Sequence, residues 1–274
     1  MCKLDGCGSY DHMGPPPKAT DEERRLFLKG LAVLPLAVVL ADPILAHAAG
    51  STLKKVTITG PDGVTMNAEI ALPAVTPAPT VILIHEWWGL NDQIRAAAAE
   101  YANQGYIALA VDLYGGAAAT TPDQAMAMMK AVDPVAATEK LKESVAFLRG
   151  HEASNGKVGV VGWCFGGGWS LNTALATDVD AAVIYYGNVA KTPEQVASLN
   201  APILGHFGTL DKSINRAMVD GFEESLKAAG KTDYEFHWYE ADHAFANPTG
   251  ARYDAEDAML SWDRTKAFFD THLS

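Results

Sequence analysis

Cysteine is scarce in this chain: three residues in 274, none in a Cys-x-x-Cys pair. That scarcity argues against a disulfide framework and against a dithiol redox centre. Basic residues are also short, 21 against 33 acidic ones for a net charge of −12, and they form no run interleaved with aromatics. Nucleic acid is therefore not an expected partner, and the acidity reads as a solvated surface. No apolar stretch reaches the roughly 20 residues that a bilayer span requires. Internal repeats are absent, and no low-complexity stretch extends beyond the first fifty residues. The Gly166-Gly167-Gly168 run carries neither the lysine of a phosphate loop nor a following ribose-binding acid. What remains is ordinary globular composition, 49% hydrophobic and 20% charged, in a chain long enough for a sizeable core.

The first residues read as a targeting signal. Arg24-Arg25-Leu26-Phe27-Leu28-Lys29 precedes an apolar run from Leu31 to Ala41, and Ala46-His47-Ala48 follows as an A-x-A cleavage site. The paired arginines resemble a bacterial twin-arginine export signal. The competing reading, an uncleaved anchor, suits the run poorly because it is short and Asp42-Pro43 interrupts it. The expected organisation is a leader over residues 1–48 and one domain over 49–274. The twin-arginine export machinery is then a partner, and the mature protein is periplasmic or secreted. Cys2 and Cys7 leave with the leader, so Cys164 becomes the sole thiol of the mature chain.

From residue 52 apolar β-branched runs alternate with helical stretches. Val56–Thr59 and Met66–Leu72 flank Gly60-Pro61-Asp62-Gly63 as an antiparallel hairpin. Further strands are predicted at Val81–Ile84, Ile107–Val111, Val158–Val161, Ala181–Tyr185, Pro202–Phe207 and Tyr234–Tyr239. Helices are predicted over Ile94–Gln104, Pro134–Arg149, Asn215–Ala229 and Asp254–Thr271. This alternation is the signature of an α/β fold whose mostly parallel sheet is covered on both faces, with working loops at the carboxyl ends of the strands.

The candidate chemistry sits at those ends. An apolar strand runs into Gly162-Trp163-Cys164-Phe165-Gly166, the strand–turn–helix setting of a nucleophile elbow with cysteine in place of serine. Glycine two residues to either side leaves room for close backbone approach, and the next helix points its N-terminus at Cys164. An elbow calls for an acid and then a histidine after later strands. Asp211 follows the strand ending at Phe207, and His243 follows the strand ending at Tyr239; Asp242 is the alternative acid. His243 would act as general base and acid, with Asp211 holding its tautomer. The loop His85-Glu86-Trp87-Trp88-Gly89-Leu90-Asn91-Asp92 stands where a second oxyanion donor is found, which assigns the oxyanion hole to the N–H groups of Trp87 and Phe165. Glu86 is the odd element, because a carboxylate disfavours a neighbouring thiolate. Capping the following helix is its other reading. Trp87, Trp88 and Tyr114 are candidates for an apolar, substrate-binding wall, or are simply core.

Together, His85–Asn91, Asp112-Leu113-Tyr114-Gly115, Gly162–Gly167, Gly205–Asp211 and His243-Ala244-Phe245 resemble the dienelactone hydrolase family, over about residues 55–272. The resemblance implies an α/β-hydrolase fold, a catalytic triad on Cys164, His243 and Asp211, and no cofactor. It further implies that Glu86 interacts with the resting thiol and moves away when substrate binds. Family members that cleave dienelactone hold its carboxylate with arginines, one after Asp-Leu-Tyr and one after His-Ala-Phe. Here those places read Gly115-Gly116-Ala117-Ala118 and Ala246-Asn247-Pro248. The expected substrate is therefore a small ester or lactone of different charge or shape, handled by a monomer or small homo-oligomer. Three other readings stay open: a binding protein that kept the fold without the chemistry, a thiol redox protein, and a metal hydrolase using His206, Asp211 and His243.

Overall fold

The computed structural model describes residues 39, 42–61 and 63–274. The arginine pair and nearly all of the apolar run after it lie outside the described residues. Among the described residues, no helix is long and apolar enough to cross a membrane.

In chain order the elements are α1 (Pro43–Gly50), β1 (Lys54–Thr59), β2 (Thr65–Ala71), β3 (Ala78–Ile84), α2 (Asp92–Asn103), β4 (Ile107–Val111), α3 (Pro122–Ala131) and α4 (Pro134–Arg149). The second half runs β5 (Ser154–Trp163), α5 (Phe165–Ala176), β6 (Ala181–Tyr185), the single-turn α6 (Pro193–Val196), β7 (Ile203–Gly208), α7 (Arg216–Ala228), β8 (Tyr234–Tyr239) and α8 (Ala255–Leu273). The strands form one eight-stranded sheet in the order β1-β2-β4-β3-β5-β6-β7-β8. The β1–β2 and β2–β4 pairs are antiparallel, and every other pair is parallel. This is an α/β-hydrolase fold, and the early hairpin forms its edge.

The apolar runs make central strands because both of their faces are covered. Along β3, Ile82 and Ile84 pack with Leu141, Val145 and Leu148 of α4, whereas Val81 and Leu83 pack with Ile94 and Ala98 of α2 and Phe269 of α8. Each fully buried aliphatic side chain contributes roughly 1.5–3 kcal/mol. Three elements are not foreseen from the sequence: the single turn α6, and helices α3 and α1. Helix α3, capped by Thr121 and opened by Pro122, lays Ala125 and its methionines against Trp87 and Trp88. Helix α1, capped by Asp42, contains the expected cleavage site: Ala46 and Ala49 are buried, and His47 Nδ1 lies 2.9 Å from Asp92 at the start of α2.

The register brings the loops together. Ile84 of β3 is level with Gly162 of β5 and with Val111 of β4. The segments that begin at His85, Trp163 and Asp112 therefore leave the sheet side by side.

Candidate active site

Cys164 stands between β5 and α5 with φ 55° and ψ −113°, in the left-handed half of backbone space that a side chain ordinarily avoids. Such a residue costs on the order of 1–3 kcal/mol and persists only where its surroundings hold it. Here they do. Its N–H donates to the Tyr185 carbonyl at 3.0 Å, and its carbonyl accepts from Gly167 and Gly168 at 3.1 and 3.3 Å. The flanking glycines are sterically required: a Cβ on Gly162 would lie 2.0 Å from the Gly166 carbonyl oxygen, and one on Gly166 would lie 2.1 Å from that of Ile84. Cys164 thus projects at the N-terminus of α5, where the helix favours negative charge.

His243 and Asp211 converge on it from the ends of β8 and β7. The Thr209 N–H donates to the Tyr239 carbonyl at 2.8 Å and the Leu210 N–H to that of Ala241 at 3.0 Å, locking the two loops together. His243 Nε2 lies 3.2 Å from Cys164 Sγ, and Nδ1 lies 2.6 Å from Asp211 Oδ2. The other Asp211 oxygen accepts from the N–H groups of Ser213 and Ile214 at 2.7 and 3.0 Å. Burial alone would push this carboxyl up; the hydrogen bond and charge of His243, with the two N–H donors, more than offset it and hold it below its ordinary value. Asp242 instead accepts from the His243 backbone N–H at 2.7 Å and from Arg252 at 3.3 Å. Among the described residues, the three with positive φ that are not glycine, Cys164, Tyr186 and Ala244, all adjoin this constellation, and the Tyr186 ring centroid is 5.2 Å from that of His243.

Glu86 is buried, and its Oε2 accepts from Asn247 Nδ2 at 2.6 Å. It is not a surface cap, because Asn91 caps α2 by accepting from the Ile94 N–H. Asn247 itself is held from behind, its Oδ1 accepting from the Thr249 N–H and hydroxyl at 2.9 and 2.7 Å. Asn247 had stood out in the sequence only as a place without arginine; its grip on Glu86 is legible only in space. His85 is wholly buried, with Nδ1 2.6 Å from the Glu86 carbonyl and Nε2 accepting from the Leu113 N–H at 3.2 Å. Burial, partly countered by that carbonyl and by Asp112, lowers its affinity for a second proton, so the ring is neutral.

Of the proposed substrate wall, Trp88 packs edge-on against Trp87 beneath α3. Tyr114 is half-buried, stands against the rings of His85 and Phe165, and donates its hydroxyl to the Trp87 carbonyl at 3.0 Å. Both therefore shape the loop that carries Trp87. His206 is distant from this chemistry in kind: its two ring nitrogens lie 2.8 Å from the Tyr239 hydroxyl and 3.0 Å from that of Thr265, inside the β7–β8–α8 packing. Among the described residues no group of three or more His, Cys, Asp or Glu is arranged to hold a metal ion.

Comparison with known proteins agrees with this architecture. The profile of the dienelactone hydrolase family matches residues 66–273. A carboxymethylenebutenolidase of Pseudomonas putida is 32% identical over 228 residues, covering 78% of this chain and 94% of that protein. Carboxymethylenebutenolidase 1 of Cupriavidus pinatubonensis is 27% identical over 220 residues, covering 77% and 93%. A solved Klebsiella pneumoniae structure, provisionally assigned as a dienelactone hydrolase, superposes with a TM-score of 0.73 at 28% identity over 80% of this chain and 98% of that one. The chain belongs to the dienelactone hydrolase family and is a hydrolase.

Proposed function

We propose that this hydrolase cleaves small esters or lactones through a thioester on Cys164. The observation that carries the reading is the unbroken line of contacts from Cys164 Sγ to His243 Nε2 at 3.2 Å and from His243 Nδ1 to Asp211 at 2.6 Å. With Asp211 ionised, the Nδ1 proton points at the carboxylate and leaves the Nε2 lone pair for the thiol. The thiol proton passes to Nε2 while sulfur attacks the acyl carbon. The resulting oxyanion is met by the N–H groups of Trp87 and Phe165. Collapse breaks the carbon–oxygen bond, and the departing alkoxide takes the proton from His243. Water then loses a proton to the same nitrogen, attacks the thioester and releases the acid, which restores the thiol.

Relatives named carboxymethylenebutenolidase bring lactone cleavage forward as a precedent. The absence of arginine from 115–118 and from 246–248 argues for a substrate without the carboxylate of dienelactone. Glu86 is assigned the resting control of the thiol, and its bond to Asn247 supports a fixed rather than wandering carboxylate. The Arg24-Arg25 signal supports export as a folded protein; replacing both arginines with lysine is then expected to retain the protein in the cytoplasm, as fractionation would read.

The test is turnover of a panel holding dienelactone, uncharged lactones and short-chain aryl esters by the mature domain and its Cys164→Ala form. Turnover of an uncharged substrate that falls by at least about a thousandfold in the variant supports the reading. Equal turnover in both proteins, or none in either, refutes it and brings the binding-protein reading forward.

A further inference from the structure

We propose that His85, which no step of the chemistry uses, is the positioning residue that aims the Trp87 N–H into the acyl-transfer site. The inference rests on the oxyanion role given to Trp87 above, and it concerns how that donor is held.

The Trp87 N–H and the Glu86 carbonyl belong to one peptide unit. In a trans peptide these two groups point in opposite directions across a rigid plane. Whatever grips the carbonyl therefore sets the direction of the N–H. The Glu86 carbonyl is gripped twice, by His85 Nδ1 at 2.6 Å and by the Gly89 N–H at 3.2 Å. The His85 contact is at the short end for a bond between nitrogen and a carbonyl oxygen. The ring is wholly buried, so this carbonyl is held on the side of the ring, and the N–H of the same peptide points the opposite way.

The grip requires one particular tautomer, and the fold selects it. Leu113 N–H donates to Nε2 at 3.2 Å, so Nε2 carries the lone pair and the ring proton resides on Nδ1. The level pairing of Ile84 with Val111 places Leu113, two residues past the end of β4, beside the residue that follows β3. The ring plane is set by its neighbours as well. Tyr114 lies edge-on at 4.7 Å between centroids, and Phe165 stacks at 5.8 Å with 20° between planes. Phe165 bears the other proposed oxyanion donor, so a single imidazole meets the ring of one donor residue and the peptide unit that carries the other donor. The next carbonyl, that of Trp87, is tied down by the Tyr114 hydroxyl at 3.0 Å.

Two reactions of Cys164 separate aiming from general support. Ester hydrolysis builds an oxyanion; alkylation by iodoacetamide displaces iodide at a saturated carbon and builds none. His85→Phe keeps a buried ring without the donor, and His85→Leu serves if phenylalanine overfills the site. His85→Asn keeps an N–H near the place of Nδ1. On an uncharged aryl ester, His85→Phe or His85→Leu is expected to lower kcat by about 10- to 100-fold, a part of the loss seen when an oxyanion donor is removed. KM and the rate of Cys164 alkylation are expected to stay within about threefold, and His85→Asn is expected to recover most of kcat, because the groups that bind the ground state and activate the thiol are untouched. Unchanged kcat in the donor-free variants overturns the proposal. Parallel loss of turnover and alkylation also overturns it, since that reports damage to the whole elbow, as does an asparagine variant no better than phenylalanine. If the unsubstituted enzyme shows no Cys164-dependent turnover, the proposed function falls first and this inference falls with it.

Discussion

Single residues carry the chemistry of this protein through their partners more than through their own identity. Asp211 is an ordinary carboxylate drawn below its usual range by His243 and two backbone donors. It consequently stays ionised well below neutrality, with His243 Nδ1 2.6 Å away. Asp211→Asn preserves the shape but presents a donor where an acceptor is needed, and kcat is expected to fall by about 10⁴, measured on whichever ester the panel selects. Glu86 is proposed to work in the opposite sense. Its position is set by Asn247, whose own orientation is set by Thr249. Glu86→Gln keeps the volume and discharges the carboxylate, and it is expected to quicken Cys164 alkylation severalfold at neutral pH, because a nearby negative charge opposes the thiolate. An unchanged alkylation rate would remove Glu86 from control of the thiol. Asn247→Ala is expected to move the rate away from that of the unsubstituted protein, since it removes one hold on Glu86 without discharging it.

At the scale of elements, the elbow illustrates how a strand and a helix can be brought close enough to strain the residue between them. Gly166 lies against the carbonyl oxygens of Ile84 and His85, at 2.1 and 2.6 Å from the position of a Cβ, and backbone of a central strand cannot yield. Gly166→Ala is expected to lower the melting temperature and abolish turnover together. Gly221, within α7, has nothing within 4 Å of its Cβ position. There Gly221→Ala is expected to stabilise the protein by about 0.5–1 kcal/mol, through the lower entropy of the unfolded chain, with activity unchanged. Chemical denaturation of the two variants reads both outcomes, and a tolerated Gly166→Ala would contradict the close approach. Helix α3 shows a different dependence. Its Ala-Met-Ala-Met-Met sequence has little pattern of its own, and it is helical because Thr121 caps it and the Trp87–Trp88 pair offers it an apolar seat.

For the molecule as a whole, burial of neutral histidine gives stability a definite pH dependence. His206 is held well below its ordinary range by burial and then by the charges of His237 and Arg264, and His85 is lowered chiefly by burial. A lowered folded value means that the unfolded chain binds protons the folded one refuses. Stability is then complete above the unfolded histidine value of about 6.5 and declines as pH falls below it, by up to about 1.4 kcal/mol per pH unit for each such histidine. Asp211, also lowered, has a linkage of the same sign at lower pH: it adds stability that is present above the unfolded carboxyl value of about 3.9 and is lost as pH falls below it, so it contributes no slope near neutrality. Urea denaturation at pH 7.5 and pH 5.5 should therefore give a clearly lower midpoint at pH 5.5, and His206→Gln should flatten the difference. Equal midpoints would mean that neither imidazole is kept neutral by the fold.

Much of this was legible in the sequence, and for a physical reason. Continuous apolar runs such as Val81–Ile84 and Ala181–Tyr185 can be satisfied only by a sheet covered on both faces, so strand type, the parallel core and the carboxyl-end loops followed from local pattern. The Gly-x-Cys-x-Gly turn, and the loops that present Asp211 and His243, were equally local. The sequence alone thus determined the fold class and the ends of the strands at which Cys164, Asp211 and His243 stand. It could not determine what joins loops that are distant along the chain. The Glu86–Asn247 bond spans 161 residues, and the Leu113–His85 bond spans 28. They exist because the strand order puts β4, β3 and β5 side by side, and because the segment after β8 reaches back to Cys164 and Glu86. Hydrogen bonds between side chains and backbone depend on angstrom-scale placement that no periodicity encodes, and only the tertiary structure decided them.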